Sequence, residues 1–169
     1  MKSIQPGPSS FKAGRHLQLF DGTIHDPYQD RVKLSEPTVC SDCGAVYHQG
    51  RWAWATPPAG AELTRCSACQ RIHDDLPAGY VSISGSFAKK HRDELLSMVR
   101  HLEQKEKSEH PLQRIMAIDQ QDALVTITTT DIHLARGIGE ALHHAYQGDL
   151  DFHHEKGEYL LRVRWQREA

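Results

Sequence analysis

The sequence predicts an α+β protein in two parts, a small cysteine-bearing module and then a split β-α-β domain with the order β-α-β-β-α-β-β. Three observations carry that reading. All four cysteines of the 169-residue chain fall in two Cys-x-x-Cys pairs, Cys40/Cys43 and Cys66/Cys69, within a stretch poor in large apolar side chains. Beyond residue 79 the apolar residues alternate between the two-residue period of strands and the three-to-four spacing of helices. Between these regimes lies Pro77-Ala78-Gly79, which follows neither pattern and reads as punctuation.

Residues 1–36 read as a mobile N-terminal tail. Pro, Gly, Ser, Asp and His predominate, and Phe11, Leu17, Leu19 and Phe20 keep no sustained period. Such a segment cannot bury enough surface to offset its ordering entropy. Phe20 and Tyr28 are its candidate anchors on a partner.

Residues 37–75 read as a Cys₄ zinc ribbon. The two knuckles, separated by 22 residues, supply four thiolates, the tetrahedral donor set of one closed, structural Zn²⁺ site. Gly44 follows the first knuckle, where the backbone must turn tightly. Residues 45–48 and 51–54 predict short strands about Gln49-Gly50, residues 57–60 a loop, and residues 62–65 the approach to the second knuckle. So small a unit cannot hold a fold by burial alone, and metal binding supplies most of its stability, on the order of 10 kcal/mol. The competing expectation is two disulfides, which needs an oxidising compartment. Met1 to Pro8 lacks the apolar core of a secretory signal, so a reducing cytoplasm is expected.

Residues 79–166 predict the α/β sandwich domain. Tyr80 to Ser84 alternates as a strand. Ser84-Gly85-Ser86 offers a turn and helix cap, and a helix over 87–107 carries Leu95, Met98, Val99 and Leu102 on one face. Residues 114–118 and 124–128 predict two strands joined through residues 119–122. Asp131 caps a second helix with Leu134, Ile138, Ala141, Leu142 and Ala145 on one stripe, ending at Gly148. Residues 151–154 and 159–165 form a last hairpin around Lys156-Gly157. This layout is that of a ferredoxin-like fold, with helices on one face of an antiparallel sheet.

Composition limits function. With 20 Lys+Arg against 22 Asp+Glu, the chain has no global grip on nucleic acid, so any such contact must come from a local patch. One candidate is Arg51-Trp52-Ala53-Trp54 with Arg65 and Arg71 beside the second knuckle, since indoles stack on unpaired bases and guanidinium forks pair with phosphate. The same tryptophans would equally serve as the ribbon's own small core. A second candidate is Arg162 and Arg164, alternating with Leu161, Val163 and Trp165 on the last strand, although charges on an outer strand also guard against edge pairing. A third is a phosphate site at Ser84, Gly85, Ser86 and Lys89, where helix amides are free. The doublets His143-His144 and His153-His154 point in divergent directions and do not chelate as pairs. No nucleophile with a partnered base is apparent, and four coordinating sulfurs leave no open position, so no enzymatic activity is expected; a thiol oxidoreductase or a zinc hydrolase is the enzymatic alternative.

Several segments carry a resemblance. Gly50 to Trp54 reads Gly-Arg-Trp-x-Trp, residues 77–79 read Pro-Ala-Gly, and residues 129–135 read Thr-Thr-Asp-x-His-Leu-Ala. With the Cys-x-x-Cys-Gly knuckle and Leu102-Glu103-Gln104, the chain resembles short bacterial zinc-ribbon proteins, themselves similar to the front part of the Nmd-type large-ribosomal-subunit export adaptor. The resemblance covers about residues 37–166. It implies contact with ribosomal RNA or the ribosome, in assembly, stress or hibernation. Export is not implied, because the adaptor's extra cysteines and later domains have no counterpart here. The alternative expectation is a zinc-dependent protein–protein adaptor or a transcription or stress regulator without direct RNA contact. Neither reading involves a membrane or a small-molecule substrate.

Overall fold

The computed structural model describes residues 26–28 and 33–169. Of the expected tail, Phe11, Leu17, Leu19 and Phe20 lie outside the described residues. Asp26, Pro27, Tyr28 and residues 33–36 lie within them.

The described residues are α+β, with two mixed sheets and four helices. The first sheet contains β1 (Thr38–Cys40), β2 (Val46–His48), β3 (Arg51–Ala53) and β4 (Glu62–Thr64), in the order β3-β2-β1-β4. β1 pairs parallel with β4 and antiparallel with β2. Gln49 (φ 54°) and Gly50 (φ 78°) form the two-residue turn between β2 and β3, a conformation suited to a tight hairpin. The Glu36 carboxylate accepts both turn amides, at 3.2 and 2.9 Å. Helix α1 (Ser67–Asp74) follows β4, and the sequence reading does not predict it, because it is only eight residues long and mostly polar. Its start comes from Cys66, whose sulfur accepts the Cys69 amide as an N-cap; Asp75, left-handed at φ 53°, ends it.

The second sheet takes β5 (Gly79–Ser84), β6 (Ile115–Gln121), β7 (Leu124–Thr129), β8 (Asp149–His154) and β9 (Leu161–Gln166), in the order β6-β7-β5-β9-β8. The expectation of an antiparallel sheet is corrected at one join, for β9 runs parallel to β5. The closing hairpin causes this. β8 takes the sheet edge, and its return strand β9 fills the place beside β5. The predicted loop at residues 119–122 shortens as well, since Asp119 to Gln121 continue β6 and pair with β7.

The helix expected over 87–107 is two helices, α2 (Ser86–Lys90) and α3 (Arg92–Glu109), broken at His91 (φ −110°, ψ 23°). Helix α4 (Ile132–Tyr146) begins where Asp131 accepts the His133 and Leu134 amides at 2.7 and 3.0 Å. Ile138 and Leu142 are fully buried, but Ala145 is exposed. Gly139 allows α4 to sit close on the sheet, since a Cβ there would lie 2.5 Å from Val163 Cγ1.

Alternation along the strands produces two unlike faces. Val81, Ile83, Ile127, Val163 and Trp165 turn inward against the helices and are essentially buried. Tyr80, Ser82, Arg162 and Arg164 turn to the other face. Among the described residues no helix is long and apolar enough to cross a membrane.

Candidate metal centre

The turn after β1 presents Cys40 and Cys43, and the end of β4 with the first turn of α1 presents Cys66 and Cys69. Their four sulfurs lie within 4.8 Å of one another. None is disulfide-bonded; the Cys43 and Cys66 sulfurs stand 3.9 Å apart. A tetrahedron of thiolates at a Zn–S distance of about 2.3 Å has edges of about 3.8 Å, so the donor set fits one divalent ion. Backbone amides turn toward sulfur: Cys43 and Cys66 donate to Cys40 Sγ at 3.5 and 3.3 Å, and Cys69 donates to Cys66 Sγ at 3.4 Å.

Electrostatics also call for a cation. Burial opposes ionisation of Cys40, but amides from Cys66, Cys43 and Asp42 outweigh it and hold that thiol down at about 6. Burial pushes the Cys66 thiol up, and charge on the neighbouring cysteines pushes it further. Burial raises Cys69 too, against the pull of the Arg114 guanidinium. Sulfurs this close cannot all carry charge unaided, whereas a bound divalent ion deprotonates coordinating thiols outright.

The surprise of the site is Arg114. It comes from the segment before β6, in the other part of the chain, and is only 7% exposed. Its guanidinium donates to Cys69 Sγ and Cys43 Sγ at 3.1 Å each and reaches Cys66 Sγ at 3.7 Å. Nε is held by the Pro111 carbonyl at 2.7 Å, and the main chain is fixed by Thr130, whose Oγ1 accepts the Arg114 amide at 3.0 Å. Burial disfavours the charge, but the Cys69 and Cys43 sulfurs more than compensate, so Arg114 is held firmly protonated. Four thiolates around a divalent ion leave two negative charges, of which Arg114 offsets one. Leu112 packs on the same cysteine cluster. The segment 112–114 therefore completes the module's interior.

The sequence offered one faint signal for Arg114, a charge opening the apolar run Ile115-Met116-Ala117-Ile118. Its partners are 45 to 71 residues away, beyond any local pattern.

The remaining candidate residues part company. Trp52 packs against the cysteine cluster and lies 5.4 Å, ring to ring, from Tyr47. Trp54 is 41% exposed, yet its indole donates to the Lys107 carbonyl at the end of α3 at 2.8 Å, tying the module to the domain. Arg51 is exposed. Arg65 pairs with Asp42 at 2.7 Å on the outside of the first knuckle.

Arg71 is not on the surface. It is 3% exposed, donates to the Leu76 carbonyl at 2.9 Å and to Asp26 at 2.5 Å, and lies 4.3 Å from the Tyr28 ring centre. It anchors residues 26–28, with the Tyr28 hydroxyl donating to Asp74 at 2.9 Å.

On the open sheet face Arg162 bonds Glu155 at 2.6 Å and covers the Tyr80 ring, while Arg164 stands opposite Asp151. The Ser86 and Phe87 amides at this helix start are already engaged. Ser86 donates to Glu168 at 3.0 Å and Phe87 to the Arg167 carbonyl at 3.1 Å, and that carbonyl would lie 2.1 Å from any Cβ at Gly85. The chain's own last residues fill the expected phosphate site, and Lys89 stands exposed beside it. The histidine doublets join no metal-binding group: the four cysteines are the one such set among the described residues.

No protein-family model, no curated protein and no solved structure matches the chain.

Proposed function

We propose that the protein is a non-catalytic zinc-ribbon protein that binds structured RNA, with the ribosome as its working partner. One Zn²⁺ on Cys40, Cys43, Cys66 and Cys69 serves as a structural ion. Four sulfurs complete its tetrahedron and leave no position for a substrate or an activated water. The single observation that carries the reading is the buried Arg114 on three of those sulfurs. Three of the four cysteines are buried, and thiolates stabilised by a guanidinium have lower intrinsic nucleophilicity, which suits a rigid platform and not a redox pair.

Support for RNA comes from Arg51 and Arg65, which leave the module at its surface, and from the half-buried Trp52 between them in sequence. Arg162, already paired with Glu155 at 2.6 Å, and Arg164 form a second basic pair on the open sheet face. Arg71 drops out of the contact set because its guanidinium is buried on Asp26. The ribosome as partner rests on the resemblance carried by residues 50–54 and 129–135.

The test is co-sedimentation of purified protein with ribosomes across a salt series. Binding should weaken as salt rises, and Arg51→Glu with Arg65→Glu should abolish it while zinc content stays at one per chain. Undiminished sedimentation of that double variant would refute the reading.

A further inference from the structure

Between the cysteine module and the domain lies a cleft of about 360 Å³, a size that suits a small ligand. Two segments far apart in sequence meet there. Gly50, Arg51 and Trp52 line it from the module, and Thr130, Asp131 and His133 line it from the start of α4. Tyr47 and Tyr159 add ring surface to that of Trp52.

The charges in the cleft are unequally committed. Its acids are engaged inside the protein: Asp26 holds Arg71 at 2.5 Å, and Asp131 holds the first amides of α4. Its bases are less committed. Lys33, Arg51 and His133 are all exposed, and none forms an ion pair with a described residue. The Glu36 carboxyl, held down chiefly by the Gly50 amide, does lie near enough to Lys33 to be lowered further by it. What the cleft offers a ligand is therefore a mostly polar wall that includes ring surface from Tyr47, Trp52 and Tyr159, with the exposed cations Lys33 and Arg51 and the His133 imidazole around it. Flat rings stack on indole and phenol faces, and phosphate pairs with lysine and guanidinium.

We infer that this cleft holds one unstacked nucleotide, its base against the aromatic wall and its phosphate among Lys33, Arg51 and His133. The inference rests on the RNA reading for its setting and adds the ligand's form, a nucleotide out of its stack in place of a paired helix. The cleft is also coupled to the metal centre. Trp52 packs on the cysteine cluster, and Thr130 bonds the Arg114 main chain. Metal loss therefore removes one wall.

The experiment follows tryptophan fluorescence of the zinc-loaded full chain titrated with three probes: uridine monophosphate, an eight-residue single-stranded RNA and a blunt RNA duplex. The single strand should bind at least tenfold more tightly than the duplex. Lys33→Glu with His133→Glu, both solvent-facing and outside any core, should weaken it at least tenfold with zinc content unchanged. Equal affinity for monophosphate and single strand would identify a free nucleotide as the occupant and keep the cleft. A second measurement, photo-crosslinking of a 4-thiouridine-labelled strand, should map to peptides containing Tyr47, Trp52 or Tyr159.

Failure of both monophosphate and single strand to bind, or full affinity in the double variant, overturns the inference. If ribosome co-sedimentation of the wild type persists in that case, only the cleft is wrong. If the strand binds but ribosomes do not, the ribosome reading fails and the cleft stands.

Discussion

The two sheets of this protein are held together by different physics. Around the second sheet, helices α3 and α4 close over a continuous apolar interior in which Leu95, Ile127, Ile138 and Trp165 are essentially buried. The first sheet has no such interior. Its buried cluster is Cys40, Ala45, Cys66, Ala68 and Cys69, and it borrows Leu112 and Arg114 from its neighbour. Burial at roughly 25 cal/mol per Å² sustains the former, while the latter depends on its four sulfurs and what they hold. A fold can thus place rigid, apolar scaffolding beside a patch organised around four clustered sulfurs.

At the proposed metal site, the strongest way to break the contrast is to strip the ion from the four sulfurs. Chelation, or Cys66→Ser, should unfold β1 to α1, a loss on the order of 10 kcal/mol of coordination free energy. The second sheet should survive. Amide exchange would check this: protection at Val39 and Val46 should vanish, while Val81, Ile127 and Val163 stay protected. Loss of protection in both sheets together would mean that the module is an integral part of one core.

Much of this contrast is written in the chain. The cysteine spacing is a local, rigid constraint, so the donor set could be read directly, and period-two alternation at residues 80–84 and 161–165 marked β5 and β9. Contacts between distant segments could not be read. Arg114 looks like the head of a strand until the chain brings it to Cys69. Arg71 looks like a surface cation because burial of a guanidinium is visible only when Asp26 and Tyr28 are seen closing over it. Helix α1 was hidden because its nucleus is a cysteine cap, and the break at His91 has no Pro or Gly to announce it. The two tryptophans shared one expectation but serve different ends, Trp52 as module interior and Trp54 as a tie to α3.

Arg114 is where the regions meet, and replacing it sharpens the comparison. Arg114→Ala removes the guanidinium from three sulfurs and leaves the buried site more negative. The cost should be on the order of 3 kcal/mol, the usual penalty for breaking a buried charge pair. It should appear as faster zinc transfer to a competing chelator and as lost protection around β1, with little change at Ile127. Arg114→Lys should recover little, because a point charge cannot reproduce a fork that also bonds the Pro111 carbonyl. Unaltered zinc retention in Arg114→Ala would show that the guanidinium is a bystander to the metal.

The smallest expected effect discriminates between stability and contact. Arg65 pairs with Asp42 at 2.7 Å, but both side chains are partly exposed, at 34% and 41%. A surface pair of this kind contributes little, so Arg65→Ala should shift stability by no more than about 0.5 kcal/mol and leave zinc content intact. Yet under the RNA reading the same change removes a phosphate partner and should weaken ribosome binding, most visibly at low salt. A clear fall in binding with no change in unfolding midpoint would place Arg65 on the contact surface. A fall in both would instead show that the Asp42 pair braces the first knuckle, and the basic surface would then have to be sought at Arg51 alone.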